Sequence, residues 1–243
     1  MNSIAFVYIG EPRFQKLGKY NHKMIYKKLN ELNINHKIYD FTSNIRITKY
    51  TGLSQVTNLF NAIQKTNEHI IVKMRTDMYM SDEIKLNIVK NIQEILKDNS
   101  KVFGYKGKYT ELKESKNKFE DARFGDYVII IHRNNINHEK EEIFNTIKSS
   151  RIKNAGHRCF PLMIKDKSNI YKTFGKIFPI RIKMTLKNHN MNSVIYHYYL
   201  KLYESSKQTI NPTETRKNKT RIEENEVLIK KNKKGIQITF YTK

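Results

Sequence analysis

Ile70-Ile71-Val72-Lys73-Met74-Arg75-Thr76-Asp77-Met78-Tyr79-Met80 is the stretch that decides the fold of this chain. A run of β-branched and apolar residues ends abruptly in an arginine and an aspartate. This pattern is typical of a buried strand that delivers polar groups to the edge of a sheet. Two interpretations are open at this point. Arg75 and Asp77 pair with each other at the strand end, or they meet a ligand there.

The residues on either side of this strand predict alternating strands and helices. An apolar strand over Ser3–Ile9 ends at Gly10-Glu11-Pro12-Arg13, where glycine permits a tight backbone and proline stops pairing. Periodicity predicts further strands at Ile38–Phe41, His69–Met74, Lys101–Tyr105 and Phe124–Ile131, and helices at Tyr20–Leu32, Gly52–Thr66, Ser81–Leu96 and Lys140–Ser149. The charged segment Lys106–Asp121 is expected to be a mobile loop over the site. These elements predict an α/β protein.

The C-terminal third differs from the rest in its predicted elements and in its basic composition. An irregular basic section follows Pro161, then an aromatic-rich helix over Ser193–Tyr203 and a hairpin formed by Val227–Lys230 and Ile236–Tyr241. We therefore expect an α/β domain over residues 1–160 and a basic region over 161–243 that packs on it.

The charge balance indicates which class of molecule the chain binds. The chain has 46 Lys and Arg against 23 Asp and Glu, a formal net charge of +23, which favours encounter with polyanions and above all nucleic acid. Part of this lysine excess is also explained by an AT-rich coding sequence. The single cysteine excludes an intramolecular disulfide and a cysteine-based zinc site. Neither a signal peptide nor a membrane span is evident, so the cytoplasm is the expected compartment.

Several polar residues are candidates for catalysis or for ligand binding. The loop after a first strand is where open α/β sheets bind ligands, and Asp126, at the start of a buried strand, is the best-placed general base. Asp121 is a weaker alternative to Asp126. His157 competes for the role of base, acts as a late metal ligand, binds phosphate, or is an ordinary histidine of a surface loop. Arg158 adjoins it. Tyr198 and Lys201 belong to a tyrosine–lysine mixture that suits stacking on bases and contact with phosphate, although tyrosines at this spacing also suit a helix core.

Two blocks of the sequence resemble a known family. The opening Ile4-Ala5-Phe6-Val7-Tyr8-Ile9-Gly10-Glu11-Pro12-Arg13 resembles the first strand and loop of small glycosyltransferases, and Val72-Lys73-Met74-Arg75-Thr76-Asp77, preceded by the helix Gln55–Ala62, resembles the K-x-R-x-D block of WavE-type lipopolysaccharide-synthesis proteins and related viral and phage transferases. The resemblance covers about residues 1–130. It implies a GT-A-like, Rossmann-type mixed sheet flanked by helices, with the basic helical and hairpin extension beyond it.

The same resemblance implies a nucleotide-sugar donor site. It places Ile9, Gly10, Arg13, Arg75 and Asp77 against the donor, and it gives Asp77 the role of ligand to Mg²⁺ or Mn²⁺. A departing nucleotide diphosphate develops negative charge that such a cation neutralises. This chain departs from the D-x-D pattern of many GT-A enzymes, because R-T-D offers a single carboxylate. Arg75 is then a candidate to supply part of the positive charge.

Three functions follow as hypotheses. The first is a hexosyl- or pentosyltransferase whose acceptor is a hydroxymethylated or otherwise modified base in phage DNA, acting in the host cytoplasm. The second is the same chemistry on lipopolysaccharide or capsule at the cytoplasmic membrane face, with a glycolipid as acceptor. The third is a nucleic-acid-binding protein without enzymatic activity, in which Arg75 and Asp77 are structural.

Overall fold

The computed structural model describes residues 3–10, 15–42, 48, 50–107, 112–116, 127–150, 152, 156–175, 177–184, 220–222, 225–232 and 235–242. In chain order the strands are β1 (Ile4–Gly10), β2 (His36–Thr42), β3 (Ile70–Met74), β4 (Met78–Met80), β5 (Val102–Gly107), β6 (Lys113–Lys116), β7 (Val128–His132), β8 (Ile170–Gly175), β9 (Ile177–Met184), β10 (Thr220–Ile222), β11 (Asn225–Asn232) and β12 (Gly235–Thr242). The α-helices are α1 (Gln15–Glu31), α2 (Thr51–Gln64), α3 (Asp82–Lys97), α4 (Lys140–Ser149) and α5 (Gly156–Cys159). Short 3-10 turns occupy Arg133–Asn135 and Phe160–Met163.

The apolar strands assemble into one large mixed sheet. Its order is β2-β1-β3-β7-β5-β8-β6. Strands β2, β1 and β3 run parallel, whereas β7 is antiparallel to both β3 and β5. Strands β1, β3 and β7 are buried along almost their whole length, as their continuous apolar runs predict for central strands covered on both faces. The predicted α/β class with a mixed sheet flanked by helices is confirmed.

Helices cover both faces of this sheet, and each face has its own apolar core. The α2-side core joins α2 and α4 to alternate strand residues that include Val7 and Ile71. The α3-side core joins α1 and α3 to the intervening residues, among them Phe6 and Val72. Helix α3 begins as its sequence predicts, since the Ser81 side chain accepts a hydrogen bond from the Ile84 amide.

A second sheet has the order β10-β11-β12-β9-β4. Strands β11 and β12 are antiparallel and closely follow the predicted terminal hairpin, with Val227 opposite Phe240 and Asn232 opposite Gly235. Strand β12 then runs parallel to β9, which pairs antiparallel with the short strand β4. Because β4 follows β3 after a three-residue connection, the chain passes from one sheet to the other at Arg75-Thr76-Asp77.

Polar anchors hold these layers together. The Asn21 side chain of α1 donates to the Met80 carbonyl and accepts from the Met80 amide at 2.8 Å, which fixes β4 against α1. Arg133, directly after β7, donates to the Ile63, Thr66 and Glu68 carbonyls at 2.9, 2.6 and 3.0 Å. Arg133 therefore satisfies carbonyl groups at and beyond the C-terminal end of α2.

Two sequence expectations need correction. Part of the segment predicted as a mobile loop forms strand, since β5 extends to Gly107 and Lys113–Lys116 pairs antiparallel with β8; most of the remaining loop lies outside the described residues. The section predicted to be irregular after Pro161 contains β8 and β9, and β8 lies in the large sheet beside β5. The predicted helix over Ser193–Tyr203 lies outside the described residues. The division at residue 160 stays a prediction.

Among the described residues, no helix is both long and apolar enough to cross a membrane.

Candidate functional site

The candidate site lies at the carboxyl ends of the central strands β1 and β3. This side of the large sheet, where both strands finish, is called its edge below. Their parallel pairing runs from Ile4 opposite Ile70 to Tyr8 opposite Met74. Gly10 and Asp77 therefore leave the sheet on the same side, a few residues beyond the last pair. Gly10, the last residue of β1, has a φ of +108°, in the region that glycine adopts without strain. The two blocks quoted above are thus brought together.

Arg75 and Asp77 form a bidentate ion pair at this edge. The Arg75 Nε donates to Asp77 Oδ1 at 2.9 Å, and Nη2 donates to Oδ2 at 2.7 Å. The side chains are 27% and 13% exposed, respectively, so the pair is partly shielded from water. Both distances are typical of strong charge-assisted hydrogen bonds. Of the two interpretations of R-x-D, the mutual pair is present, and it leaves the guanidinium partly accessible.

Tyr127, the residue directly before β7, also contacts the Arg75 side chain. Strand β7 begins at the same edge, because Val128 lies opposite Met74. The ring centroid of Tyr127 lies 5.9 Å from the Arg75 guanidinium carbon, within cation–π range. The sequence reasoning did not select Tyr127. An aromatic residue next to Asp126 at the start of a buried strand was the signal that could have identified it.

Some of the other predicted site residues lie in the described part of the chain, and the rest lie outside it. Ile9 is buried in the α2-side core with 1% exposure, so contact with a donor would come from its backbone. Arg158 lies on α5 and is exposed, and the backbone of His157 belongs to the same short helix. The predicted residues Arg13, Asp126, Tyr198 and Lys201 lie outside the described part of the chain.

Cys159 is a packing residue. It is completely buried in the α2-side core, and its thiol donates to the Ile152 carbonyl at 3.3 Å. Burial raises the pKa of the Cys159 thiol to about 11, which disfavours the thiolate form.

The described residues do not fit a protein-held Mg²⁺ or Mn²⁺ ion. Both carboxylate oxygens of Asp77 already accept hydrogen bonds from Arg75, which offsets the negative charge a divalent cation needs. Over the described part of the chain, no three His, Cys, Asp or Glu side chains cluster as a metal site built entirely from protein ligands would require. The prediction of Asp77 as a metal ligand therefore stays a prediction without support from this geometry.

A buried polar cluster lies behind the site on the α3 side. The Tyr8 hydroxyl lies 2.8 Å from His22 Nδ1 and 2.5 Å from the Tyr26 hydroxyl. Complete burial, together with the positive charge of nearby Lys85, lowers the pKa of His22 to about 3. His22 is therefore neutral at physiological pH and joins β1 to α1 by a neutral hydrogen bond.

Comparisons with known proteins find similar structures but no sequence family. No family model matches the chain, and no curated protein matches it. It is similar to a glycosyltransferase involved in the glycosylation of the major capsid of PBCV-1, with 8% identity and a TM-score of 0.44 over 72% of this chain and 81% of that one. It is also similar to Drosophila β1,4-galactosyltransferase 7 in complex with manganese, UDP-Gal and xylobiose (12% identity, TM-score 0.34, 100% and 95% covered).

A third similar structure is TarS from S. aureus, with 10% identity and a TM-score of 0.35 over 72% of this chain and 60% of that one. At such identities and TM-scores, these resemblances do not assign an activity to the chain.

Proposed function

We propose that this chain is a nucleotide-sugar-dependent glycosyltransferase whose donor binds at the shared edge of β1 and β3. The observation that carries the proposal is the parallel pairing of these strands, with Tyr8 opposite Met74. It brings Gly10, the last residue of β1, and the R-T-D turn, which are far apart in sequence, to one edge. Ligands of open α/β sheets bind outside the carboxyl ends of the strands.

In this proposal, Arg75 supplies positive charge to the departing nucleotide diphosphate. Asp77 and Tyr127 both contact the guanidinium, so little rotamer entropy is lost when a phosphate binds. Arg13, from the first loop, adds a second contact. Asp77 then acts by orienting Arg75.

The transfer itself breaks the bond between the anomeric carbon and the phosphate oxygen and forms one to the acceptor oxygen. The bonding electrons of the broken bond leave with the diphosphate. The acceptor hydroxyl loses its proton, and we propose Asp126 as the base that takes it. Asp126 precedes β7, whose first residue, Val128, lies opposite Met74 at the donor edge.

For the acceptor, we propose a hydroxymethylated or otherwise modified base in phage DNA. The net charge of +23 supports a polyanionic acceptor. Residues 161–243 would form most of its binding surface, with His157, Arg158, Tyr198 and Lys201 as candidate contacts. Lipopolysaccharide or capsule at the cytoplasmic membrane face is the alternative acceptor for the same chemistry.

A second candidate function is nucleic-acid binding without catalysis. It is favoured by the Arg75–Asp77 ion pair, in which each group satisfies the charge of the other without any ligand. In that case, the pair would stabilise the turn between the two sheets.

Donor turnover distinguishes the two candidates. The protein would be incubated with a panel of UDP-, GDP- and CMP-sugars, with and without Mn²⁺, and released nucleotide would be measured. A glycosyltransferase is expected to release nucleotide from one donor class, and release should rise when acceptor is added. Absence of release from every donor, with modified DNA or glycolipid present, would favour the binding protein.

Mass spectrometry of the acceptors after reaction identifies the acceptor class. A mass increase of one sugar on modified duplex DNA supports DNA, and the same increase on a glycolipid supports the alternative. Binding to duplex DNA should also weaken steeply with salt, because neutralised phosphates release counterions. A shallow salt dependence with weak binding at low salt would argue against DNA.

A further inference from the structure

Helix α1 has an excess of positive charge that the proposed function does not use. It contains five lysines and a single acidic residue, Glu31. Among the described residues, the other helices of at least ten residues show no such excess: α2 has no charged residue, α3 has three lysines against three acids, and α4 has two against two. An AT-rich coding sequence would raise the lysine content of every helix, so it does not explain this contrast.

Three of these lysines form a stripe along one face of α1. Lys19, Lys23 and Lys27 are spaced four residues apart, so they lie one above the other over about 12 Å of the helix axis. Lys23 and Lys27 are exposed, and Lys19 is partly exposed. Ile25 and Leu29, on the other side of the helix, are completely buried. The lysine stripe therefore faces solvent.

One end of the lysine stripe lies beside the edge where the donor is proposed to bind. Lys19 Nζ donates to Asp40 Oδ2 at 2.8 Å and lies 5.8 Å from the centroid of the Tyr8 ring. Asp40 is opposite Tyr8, and Tyr8 is opposite Met74 in the last pair of β1 and β3. From this level α1 runs back toward the start of β2, which lies at the amino end of β1. A polyanion lying along the stripe would therefore extend to this edge.

The lysine stripe suits a nucleic-acid backbone better than a lipid surface. Along about 12 Å of its axis, each strand of duplex DNA has about three to four phosphates, which is the number that three lysines can contact. A helix that binds a lipid surface inserts apolar side chains into it, whereas Ile25 and Leu29 of α1 belong to the α3-side core. Helix α1 thus offers a ligand positive charge from its exposed lysines.

We propose that the solvent face of α1 binds the phosphate backbone of DNA, so that a nearby base reaches the edge where β1 and β3 end. The binding of phosphates by Lys23 and Lys27 does not depend on the proposed function. The delivery of a base to a bound donor rests on it. Lys19, which is paired with Asp40, adds charge at the end of the stripe nearest to that edge.

The test neutralises the two exposed lysines of the stripe in one variant, Lys23→Gln with Lys27→Gln. The matched control, Lys90→Gln with Lys148→Gln, removes the same charge from exposed positions on α3 and α4. A third variant, Lys23→Arg with Lys27→Arg, keeps the charge of the stripe. Gln and Arg both favour helix at exposed positions, and circular dichroism checks that each variant is folded.

The first readout is the binding of a duplex of about 20 base pairs, measured by fluorescence anisotropy between about 50 and 200 mM KCl. Each lost phosphate contact lowers the slope of log K against log salt by about 0.9, so the glutamine variant of α1 should lose about 1.8. Its affinity at the lowest salt should fall at least tenfold. The arginine variant and the control should stay within twofold of the wild type. A glutamine variant of α1 that binds like the control would overturn the proposal.

Vesicles that contain an anionic phospholipid test the competing partner. If the glutamine variant of α1 loses binding to these vesicles and keeps its binding to DNA, the assignment to DNA is wrong. Absence of duplex binding by the wild type at the lowest salt would also overturn it.

The second readout tests the delivery of a base to the donor. In the glutamine variant of α1, KM for modified DNA should rise at least tenfold, with a smaller change in kcat and with KM for the donor within twofold of the wild type. An unchanged KM for DNA in this variant would overturn the delivery. Absence of turnover by the wild type would instead count against the proposed function, and the salt slopes would still decide whether α1 binds DNA.

Discussion

The Arg75–Asp77 ion pair yields the most direct prediction, because its strength can be estimated from its geometry. Two charge-assisted bonds of 2.9 and 2.7 Å join the groups, and the carboxylate side chain is only 13% exposed. Exposed ion pairs contribute about 0.2–1 kcal/mol, whereas each hydrogen bond to a charged group contributes about 1.5–3 kcal/mol. For a half-shielded bidentate pair, we expect a coupling energy of about 2 kcal/mol.

The assay is a double-mutant cycle of Arg75→Met, Asp77→Asn and the combination, with unfolding by urea followed by circular dichroism. Each single variant should lose about 2–3 kcal/mol, because the remaining partner stays partly buried without its counter-charge. The double variant should lose less than the sum of the two. A coupling energy below about 0.5 kcal/mol would refute the argument, since it would show that the pair does not persist in solution.

The same variants show whether Asp77 orients Arg75 for catalysis or only stabilises the turn. Asp77→Asn should leave the protein folded at 25 °C and abolish donor turnover, because Arg75 loses the carboxylate that orients it. If Asp77→Asn keeps full turnover, Asp77 has no part in the mechanism. If turnover falls only in proportion to the unfolded fraction, the pair stabilises the turn and nothing more.

Three further predictions follow from other contacts. Arg133→Met should lower the free energy of unfolding by about 3 kcal/mol, because three carbonyl groups lose their donor. Urea denaturation measures this free energy, and Arg158→Met, at an exposed position, is the control. A loss equal to that of the control would contradict the prediction. The neutral form of His22 stabilises the fold above pH 6.5, because its pKa in the folded state is about 3. The free energy of unfolding should therefore fall by about 1.6 kcal/mol from pH 6.5 to pH 5. The His22→Gln variant should show a flatter pH dependence. Donor turnover should change by less than about threefold in EDTA relative to Mn²⁺, because Arg75 already occupies both oxygens of Asp77; a larger loss of initial rate in EDTA would show that a metal is needed.

Strands with continuous apolar runs were predictable from sequence, and strands with interrupted runs were not. Strands β1, β3 and β7 differ from their predicted bounds by a few residues, and α4 matches Lys140–Ser149. Strand β8 was missed because the buried Lys172 breaks its apolar pattern. Strand β9 was missed because a proline such as Pro179 is rare inside a strand. In the structure, Pro179 lies opposite Met78 of the short strand β4.

The polar end of β3 was predictable from the sequence, but the pairing of its side chains was not. The R-x-D spacing identified Arg75 and Asp77 as the polar end of β3, yet spacing alone does not decide between a mutual ion pair and a ligand site. That choice depends on the turn into β4, where Thr76 and Asp77 reverse the backbone. The contribution of Tyr127 depends on β7 lying beside β3, and sheet order is not encoded in local periodicity.

The three-residue connection between β3 and β4 makes Asp77 a junction between two sheets. Strand β4 is anchored on one side by Asn21 of α1 and on the other by β9, which continues the network of main-chain bonds to the hairpin of β11 and β12. A continuous path of main-chain hydrogen bonds therefore connects the C-terminal hairpin to the backbone next to Arg75, although the two are more than 140 residues apart in the chain.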